Sequence, residues 1–263
     1  MNYIDENKLE KLASDLSYKY QNSVPYNHIY IDNFFNNNDL EKLLESFPDD
    51  IEFYKYDNPL EKKLAYDQVK KLPVDISSLL YELNSSDFLN FLEKISGIEG
   101  LIPDPYFRGG GIHEIKRGGK LDIHVDFNIH PKLKLVRRLN VIIYLNKDWQ
   151  ESWNGDFQVW SGEMIDGKHT LKECFSKIYP FFNRLVIFST SENSYHGHPE
   201  ELLCPDDFSR KSLALYYYTS PDNLISGHST TFVKLPNENS DLDEIRKKRN
   251  LGRLSTNIKT NLL

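Results

Sequence analysis

Arg138-Leu139-Asn140-Val141-Ile142-Ile143-Tyr144-Leu145-Asn146 is the stretch from which the fold is read. In a pleated strand successive side chains point to opposite faces, so Leu139, Val141, Ile143 and Leu145 share one side. Arg138, Asn140, Ile142 and Tyr144 share the other. The first set makes a core face. The second mixes polar and aromatic groups, which suits a pocket wall, with a solvated sheet face as the plain alternative. Further short β-rich runs flank this one at Gly111–Lys116, Leu121–His124, Asp156–Trp160, Leu185–Phe188 and Ser212–Thr219. Pro103, Pro105 and Gly109-Gly110-Gly111 mark the turn region before them. The spacing predicts a mainly β protein, closed or sandwich-like and antiparallel.

The first hundred residues have a different pattern. Leu9, Leu12, Leu16 and Tyr20 recur at near-helical spacing, and a second helix opens at Asn38-Asp39-Leu40 and stops before Pro48. Two or three helical segments follow between Asp67 and Phe91, broken by Pro73, Asn84 and Ser85-Ser86. Short strands are expected at His28–Ile31 and Glu52–Tyr54. The apolar face of the first helix suits packing on the β core or a homodimer, and periodicity does not choose. Near the end, Thr230–Leu235 reads as an edge strand and Asp241–Leu251 as a charged helix.

With 32 basic and 39 acidic residues, the 263-residue chain carries a formal charge of -7, which argues against nucleic acid as a partner. The one basic cluster, Arg246-Lys247-Lys248-Arg249, reads as a solvated helix face. Cys174 and Cys204 are too few for a disulfide framework and lack metal-binding spacing, so both are expected to be reduced. No signal-peptide pattern opens the sequence and no apolar run is long enough to span a bilayer, so no membrane is expected and a cytoplasmic location is the simplest expectation.

The chemistry is concentrated in His124-Val125-Asp126 and in Tyr195-His196-Gly197-His198. Alternation puts His124 and Asp126 on one face with Val125 turned away, so both can meet one metal. Gly118-Gly119 can turn the chain just before them. His196 is the third ligand and His198 its competitor, since both share a face in an extended segment; His113 and His130 read as structural or exposed. Two imidazoles and a carboxylate can hold a divalent iron on one face and leave the opposite face open, although the ligands alone also accept manganese, cobalt or zinc. Arg210 is suited to a bidentate contact with a dicarboxylate. Lys211 is a minor rival, facing the other way on a strand.

These residues resemble the iron(II)- and 2-oxoglutarate-dependent dioxygenase superfamily, near its prolyl hydroxylase-like branch. The matching pieces run in family order over about residues 105–220: His124-Val125-Asp126, Arg138-Leu139-Asn140 with Tyr144-Leu145-Asn146, Asn154-Gly155-Asp156-Phe157, Asn183-Arg184-Leu185-Val186-Ile187-Phe188, Tyr195-His196-Gly197 and Arg210-Lys211-Ser212-Leu213. The resemblance implies a double-stranded β-helix, or jelly roll, with N-terminal helices packed against it. It divides the chain into a mostly helical support region (1–98), a catalytic core (99–220) and a C-terminal strand, helix and polar tail (221–263). It favours His196, the histidine before glycine, and implies His124, Asp126 and His196 as ligands of Fe(II). It assigns the far carboxylate of 2-oxoglutarate to Arg210, with Asn140 and Tyr144 as further co-substrate contacts and dioxygen as the second co-substrate. Asn154 departs from the pattern, where relatives often have glycine. The intact Asp126 sets the chain apart from the family's halogenases.

The activity implied is hydroxylation of an unactivated C–H bond with release of succinate and carbon dioxide. Peptide, amino-acid and small-metabolite substrates stay open. Gly155–Trp160 and Ser191–Ser194 are expected to border the entrance, with Tyr106, Phe107 and Arg108 as a lid supported by Trp149 and Trp153. A metal-dependent hydrolase, which needs no arginine anchor for 2-oxoglutarate, and a non-catalytic cupin-like binding protein are the alternatives.

Overall fold

The computed structural model describes residues 3–49, 51–221, 227–238 and 242–250. Besides two short 3-10 turns, its elements in chain order are α1 (Glu6–Gln21), β1 (His28–Asp32), α2 (Asn37–Glu45), β2 (Tyr54–Asn58), β3 (Glu61–Tyr66), α3 (Val74–Glu82), α4 (Ser86–Ser96), β4 (Ile102–Pro103), β5 (Gly111–Lys116), β6 (Lys120–Val125), β7 (Val136–Tyr144), β8 (Phe157–Ile165), β9 (Lys168–Ile178), β10 (Arg184–Ser189), β11 (Tyr195–His198), β12 (Ser209–Thr219) and β13 (Thr231–Phe232). A C-terminal helix occupies 243–250.

The strands follow the path β1-β10-β7-β12-β5-β3-β6-β11-β8-β9, with β2 on β3, β4 on β12 and β13 on β6. The path curls back on itself. Phe157 of β8 meets Phe188 of β10, ring centroids 4.9 Å apart, in a cluster with Tyr144, Val159 and Val186. The result is a nearly closed antiparallel barrel of the double-stranded β-helix kind, with the N-terminal helices packed on one side.

β7 explains that packing. Its residues Leu139, Val141 and Ile143, with Leu145 just beyond, are buried against Leu40 and Leu43 of α2, Ile76 and Leu79 of α3 and Phe88 and Phe91 of α4. Asn140, Ile142 and Tyr144 turn inward. The helices are locally specified: side chains of Asp5, Asn36 and Ser85 accept from backbone N–H groups in the first turns of α1, α2 and α4. Gly97 ends α4 in the left-handed conformation. The buried residues Leu9, Ala13 and Tyr20 place the apolar face of α1 on this same core, and Tyr20 Oη lies 2.8 Å from Ser189 Oγ of β10.

Asn183 ties the N-terminal region to the barrel. Its Oδ1 accepts from Phe35 N–H at 2.8 Å and its Nδ2 donates to Phe35 O at 2.8 Å. Replacing Asn183 with alanine strands these buried backbone groups, and a loss of about 2 kcal/mol is expected in urea unfolding. A change within experimental error would mean that the clamp contributes nothing net.

The structure corrects several expectations. β1 is the strand expected at His28–Ile31, and β2 and β3 add a hairpin to the sheet within residues 1–98. The strand expected at Glu52–Tyr54 begins at Tyr54, and β3 is a strand that the alternation did not reveal. β8 runs on to Ile165 and is followed by the long edge strand β9. The basic cluster is not a wholly solvated face: Arg246 is buried, 2.6 Å from Glu238 and 3.3 Å from Asp122, and Arg249 pairs with Glu61. The expected helix 241–251 matches 243–250, and its two outermost positions lie outside the described residues. No helix among the described residues is long and apolar enough to cross a membrane.

Candidate metal centre

β6 and β11 are hydrogen-bonded neighbours, and His124 is paired directly with His196. Asp126 follows one residue beyond the end of β6, so the expected strand alternation stops just short of it. The ligand atoms of His124, Asp126 and His196 nevertheless lie within 4.8 Å of one another, a spacing one ion can bridge. His124 Nε2 is 3.7 Å from Asp126 Oδ1, and His196 Nε2 is 3.4 Å from Asp126 Oδ2.

Each imidazole is oriented by the backbone two residues before it. His124 Nδ1 lies 2.9 Å from Asp122 O and His196 Nδ1 lies 2.8 Å from Ser194 O. A carbonyl only accepts, so Nδ1 carries the proton and the Nε2 lone pair faces the carboxylate. Burial and the neighbouring His124 lower the pKa of His196, which keeps that lone pair free.

The Asp126 carboxylate is held by groups the sequence reading partly misplaced. Asn140 Nδ2 donates to Oδ2 at 2.7 Å, Arg137 Nη2 lies 3.1 Å from the same oxygen, and Arg137 Nε donates to Asn140 Oδ1 at 2.8 Å. Burial pushes the carboxyl up, but Arg137 and His196 outweigh it and hold Asp126 well below the usual carboxylate range. The inward arginine is therefore Arg137, not Arg138. The β7–β12 register slips so that Tyr217 faces Leu139 and Tyr218 faces Arg137. Arg138 is the extra residue of a β-bulge, which turns Arg137 to the face of Asn140.

Beyond the triad a cavity of about 90 Å³ is lined by Ile142, Phe157, Phe188, His113, His198, Arg210 and Ser212, among others. Arg210 is 5% exposed, donates from Nε to Gly155 O at 2.8 Å and from Nη2 to Tyr144 Oη at 3.0 Å, and has no bond at Nη1 among the described residues. Gly155 is required for this approach: a Cβ there would stand 2.7 Å from Leu202 and 3.1 Å from Arg210. Tyr144 thus steadies Arg210 and does not line the cavity. Lys211 turns toward Ser209 and Glu114 instead.

His198 is not gathered with the triad. The register slips between His196 and His198, and His198 lies toward Arg210. It is 3% exposed and neither ring nitrogen has a hydrogen-bond partner among the described residues. Burial, then Arg210 and Lys63, drives its pKa well below the ordinary imidazole value, so the ring is neutral. His113 also lines the cavity, whereas buried His130 pairs with Asp104 at 3.3 Å.

On its solvent side the triad opens into a mouth of about 370 Å³ walled by Tyr56, Lys63, Arg108, Phe127, Arg137, Tyr216 and Phe232, among others. Arg137 is stacked there, 3.5 Å from the ring centroid of Tyr216 and 4.6 Å from that of Phe127. Of the three residues expected as a lid, Arg108 lines the mouth, whereas Tyr106 and Phe107 are not among its lining residues. Trp149 and Trp153 do not support it; they pack with Leu202 and Cys204 in a separate cluster. Lys63 was missed because it stands on β3, whose Glu-Lys-Lys opening gives no apolar alternation.

Residues 110–218 match the family described as the 2OG-Fe(II) oxygenase superfamily. A mouse prolyl 3-hydroxylase, OGFOD1, is 26% identical over 195 residues, 74% of this chain but 33% of that protein, so the chain spans about a third of its relative's length. Among solved structures, a Trichoplax adhaerens prolyl hydroxylase in complex with a hypoxia-inducible-factor peptide fragment has a TM-score of 0.55 and 17% identity, covering 81% of this chain and 91% of that one. A Pseudomonas putida prolyl-4-hydroxylase has a TM-score of 0.52 and 15% identity over 81% of this chain and 100% of that one. The fold is shared with these two structures, and the His124–Asp126–His196 cluster lies within or beside the matched strands. Residues 110–218 thus resemble the iron(II)/2-oxoglutarate oxygenases, and the chain has the fold of the prolyl hydroxylase structures.

Proposed function

We propose that the chain is an iron(II)- and 2-oxoglutarate-dependent dioxygenase that hydroxylates an unactivated C–H bond. The observation that carries this reading is the inner cavity itself, lined by both the His124–Asp126–His196 group and Arg210. The donor set fits iron(II), since two neutral imidazoles and one carboxylate leave coordination positions open. The orphaned nitrogens of His198 beside Arg210 fit a dicarboxylate. When bound, iron with 2-oxoglutarate and dioxygen supplies the oxidant, and succinate and carbon dioxide are released.

The protein's own groups do the positioning. His124, Asp126 and His196 hold the ion, and Asn140 with Arg137 fixes the carboxylate. Arg210, steadied by Tyr144 and Gly155, holds the far carboxylate of the co-substrate, and His198 donates one ring N–H to the same anion. Phe157, Phe188 and Ile142 keep water from the space between. The primary substrate enters through the mouth, and a peptide, as in the Trichoplax complex, is the class best supported.

The test is anaerobic addition of iron(II) and 2-oxoglutarate, followed by metal-to-ligand charge-transfer absorption. A band is expected with iron but not zinc, lost in His124→Ala and His196→Ala and weakened in Arg210→Met. Absence of the band with iron occupancy verified would sink the reading. His198→Leu is expected to weaken 2-oxoglutarate about tenfold or more, as for a lost hydrogen bond to a charged group, with iron binding retained. An unchanged co-substrate affinity would remove His198 from the site.

A further inference from the structure

We propose that a cationic trough beside the mouth docks an acidic polypeptide segment that flanks the residue to be oxidised. The proposal rests on the oxygenase reading for what happens at the metal, but binding to the trough does not require iron. The trough has a volume of about 870 Å³ and is lined by Lys70, Lys71, Arg108 and Lys132 against a single carboxylate, Asp67. All four cations are exposed, and none forms an ion pair among the described residues. In a chain of net charge -7 this is a local reversal of sign. Asp67, whose Oδ2 faces the Gly109 N–H at 3.4 Å, offsets one of the four positive charges and leaves the trough net cationic.

The trough is continuous with the metal mouth, since Arg108 and Pro131 line both. Its rim is built. Buried Asp104 accepts from the N–H groups of Tyr106 at 2.8 Å and Arg108 at 2.7 Å and pairs with His130, which fixes the turn that presents Arg108. Phe107 in that turn has φ 50, a conformation that a non-glycine residue keeps only when its surroundings impose it. Tyr106 is 46% exposed, with Lys132 Nζ 3.9 Å from its ring centroid, so a flat apolar surface and a cation are offered together.

The occupant follows from shape and charge. The mouth alone has the size of a small-molecule site. The trough adds room outside it, open to solvent, where an extended chain can lie and continue past both ends. Alternate side chains of an extended segment recur on one side roughly every 6.6 Å, so several carboxylates can meet the row of cations. A nucleic acid would have to approach a strongly anionic protein through only four cations.

The experiment is fluorescence anisotropy of the full chain with fluorescein-labelled hexaglutamate, with hexalysine and a neutral glycine–serine peptide as controls. Hexaglutamate alone is expected to bind, and to weaken severalfold as salt rises to physiological strength. Lys70→Glu with Lys132→Glu should lower that affinity about tenfold or more. The same reversal at Lys168 and Lys172, on edge strand β9 outside the trough, should leave it unchanged. Melting temperature and the charge-transfer band should be unaltered in both variants. Equal binding of the three peptides, or binding indifferent to the Lys70/Lys132 reversal, would overturn the proposal. So would tighter binding of a single-stranded oligonucleotide, or displacement by pyrophosphate at concentrations equal to the peptide's. A missing band with intact peptide binding would instead count against the oxygenase reading alone.

Discussion

Gly197→Ala is expected to weaken iron binding severely although it alters no ligand. Gly197 lies between His196 and His198 on β11, pressed against β6. A Cβ at this position would stand 2.7 Å from Leu121 O and 2.8 Å from Asp122 O. Both obstacles are backbone, so no side-chain rotation relieves the contact. Asp122 O is also the acceptor that orients His124, 2.9 Å from its Nδ1. Making room therefore displaces His196 with its strand and disturbs the anchor of His124. Iron affinity should fall by roughly 100-fold, the upper range for loss of the groups that orient metal ligands. Titration with iron(II), alongside thermal melting to establish that the variant is folded, measures this. A folded variant that binds iron as tightly as the parent would show that the β6–β11 contact does not set the ligand geometry.

Arg137→Ala carries the second large effect. Arg137 is 2% exposed and meets Asp126, Asn140 and the rings of Phe127 and Tyr216. Its removal leaves a mostly buried carboxylate without its cation, and breaking such a pair costs about 3–5 kcal/mol. Lysine should not restore the loss, because it cannot bond Asn140 and Asp126 through two nitrogens while stacking between two rings. The pH dependence has a definite sign. The depressed Asp126 contributes stability above its unfolded pKa, and that stability is lost as pH falls through the lower folded value. Without Arg137 the folded value moves back up, so the metal-free variant should lose stability at a higher pH than the parent. Urea unfolding of metal-free protein across the acid range is the measurement. Coincident acid limbs would mean that Arg137 does not control this carboxylate.

Much of this was legible in the sequence because simple periodicities held. From Leu139 to Tyr144, β7 alternates between helix-covered and inward-facing residues, and β5 has the predicted bounds. His124, Asp126 and His196 come together as read, although Asp126 stands past the end of its strand. Alternation failed where the ladder is irregular. A bulge decides between Arg137 and Arg138, and a slipped register separates His196 from His198; neither leaves a mark in apolar spacing. β9 was missed because an edge strand needs little apolar surface: only Leu171 and Ile178 of its eleven residues are buried. β3 was missed because its inward Glu61 and Lys63 take part in polar contacts that become visible only when distant chain segments meet.

The bulge in β7 has an unexpected genetic consequence. Arg137 and Arg138 are identical neighbours, so losing either codon in frame yields one and the same protein. Because Arg137 already faces Tyr218 and Leu139 already faces Tyr217, the shortened strand can pair without interruption and keep its one remaining arginine aimed inward. The backbone bond from Thr190 N–H to Arg138 O, 2.9 Å, would be forfeited, at a cost of about 1 kcal/mol. A one-codon deletion is thus expected to be milder than the single substitution Arg137→Ala, reversing the usual order of severity between lesions of length and lesions of identity.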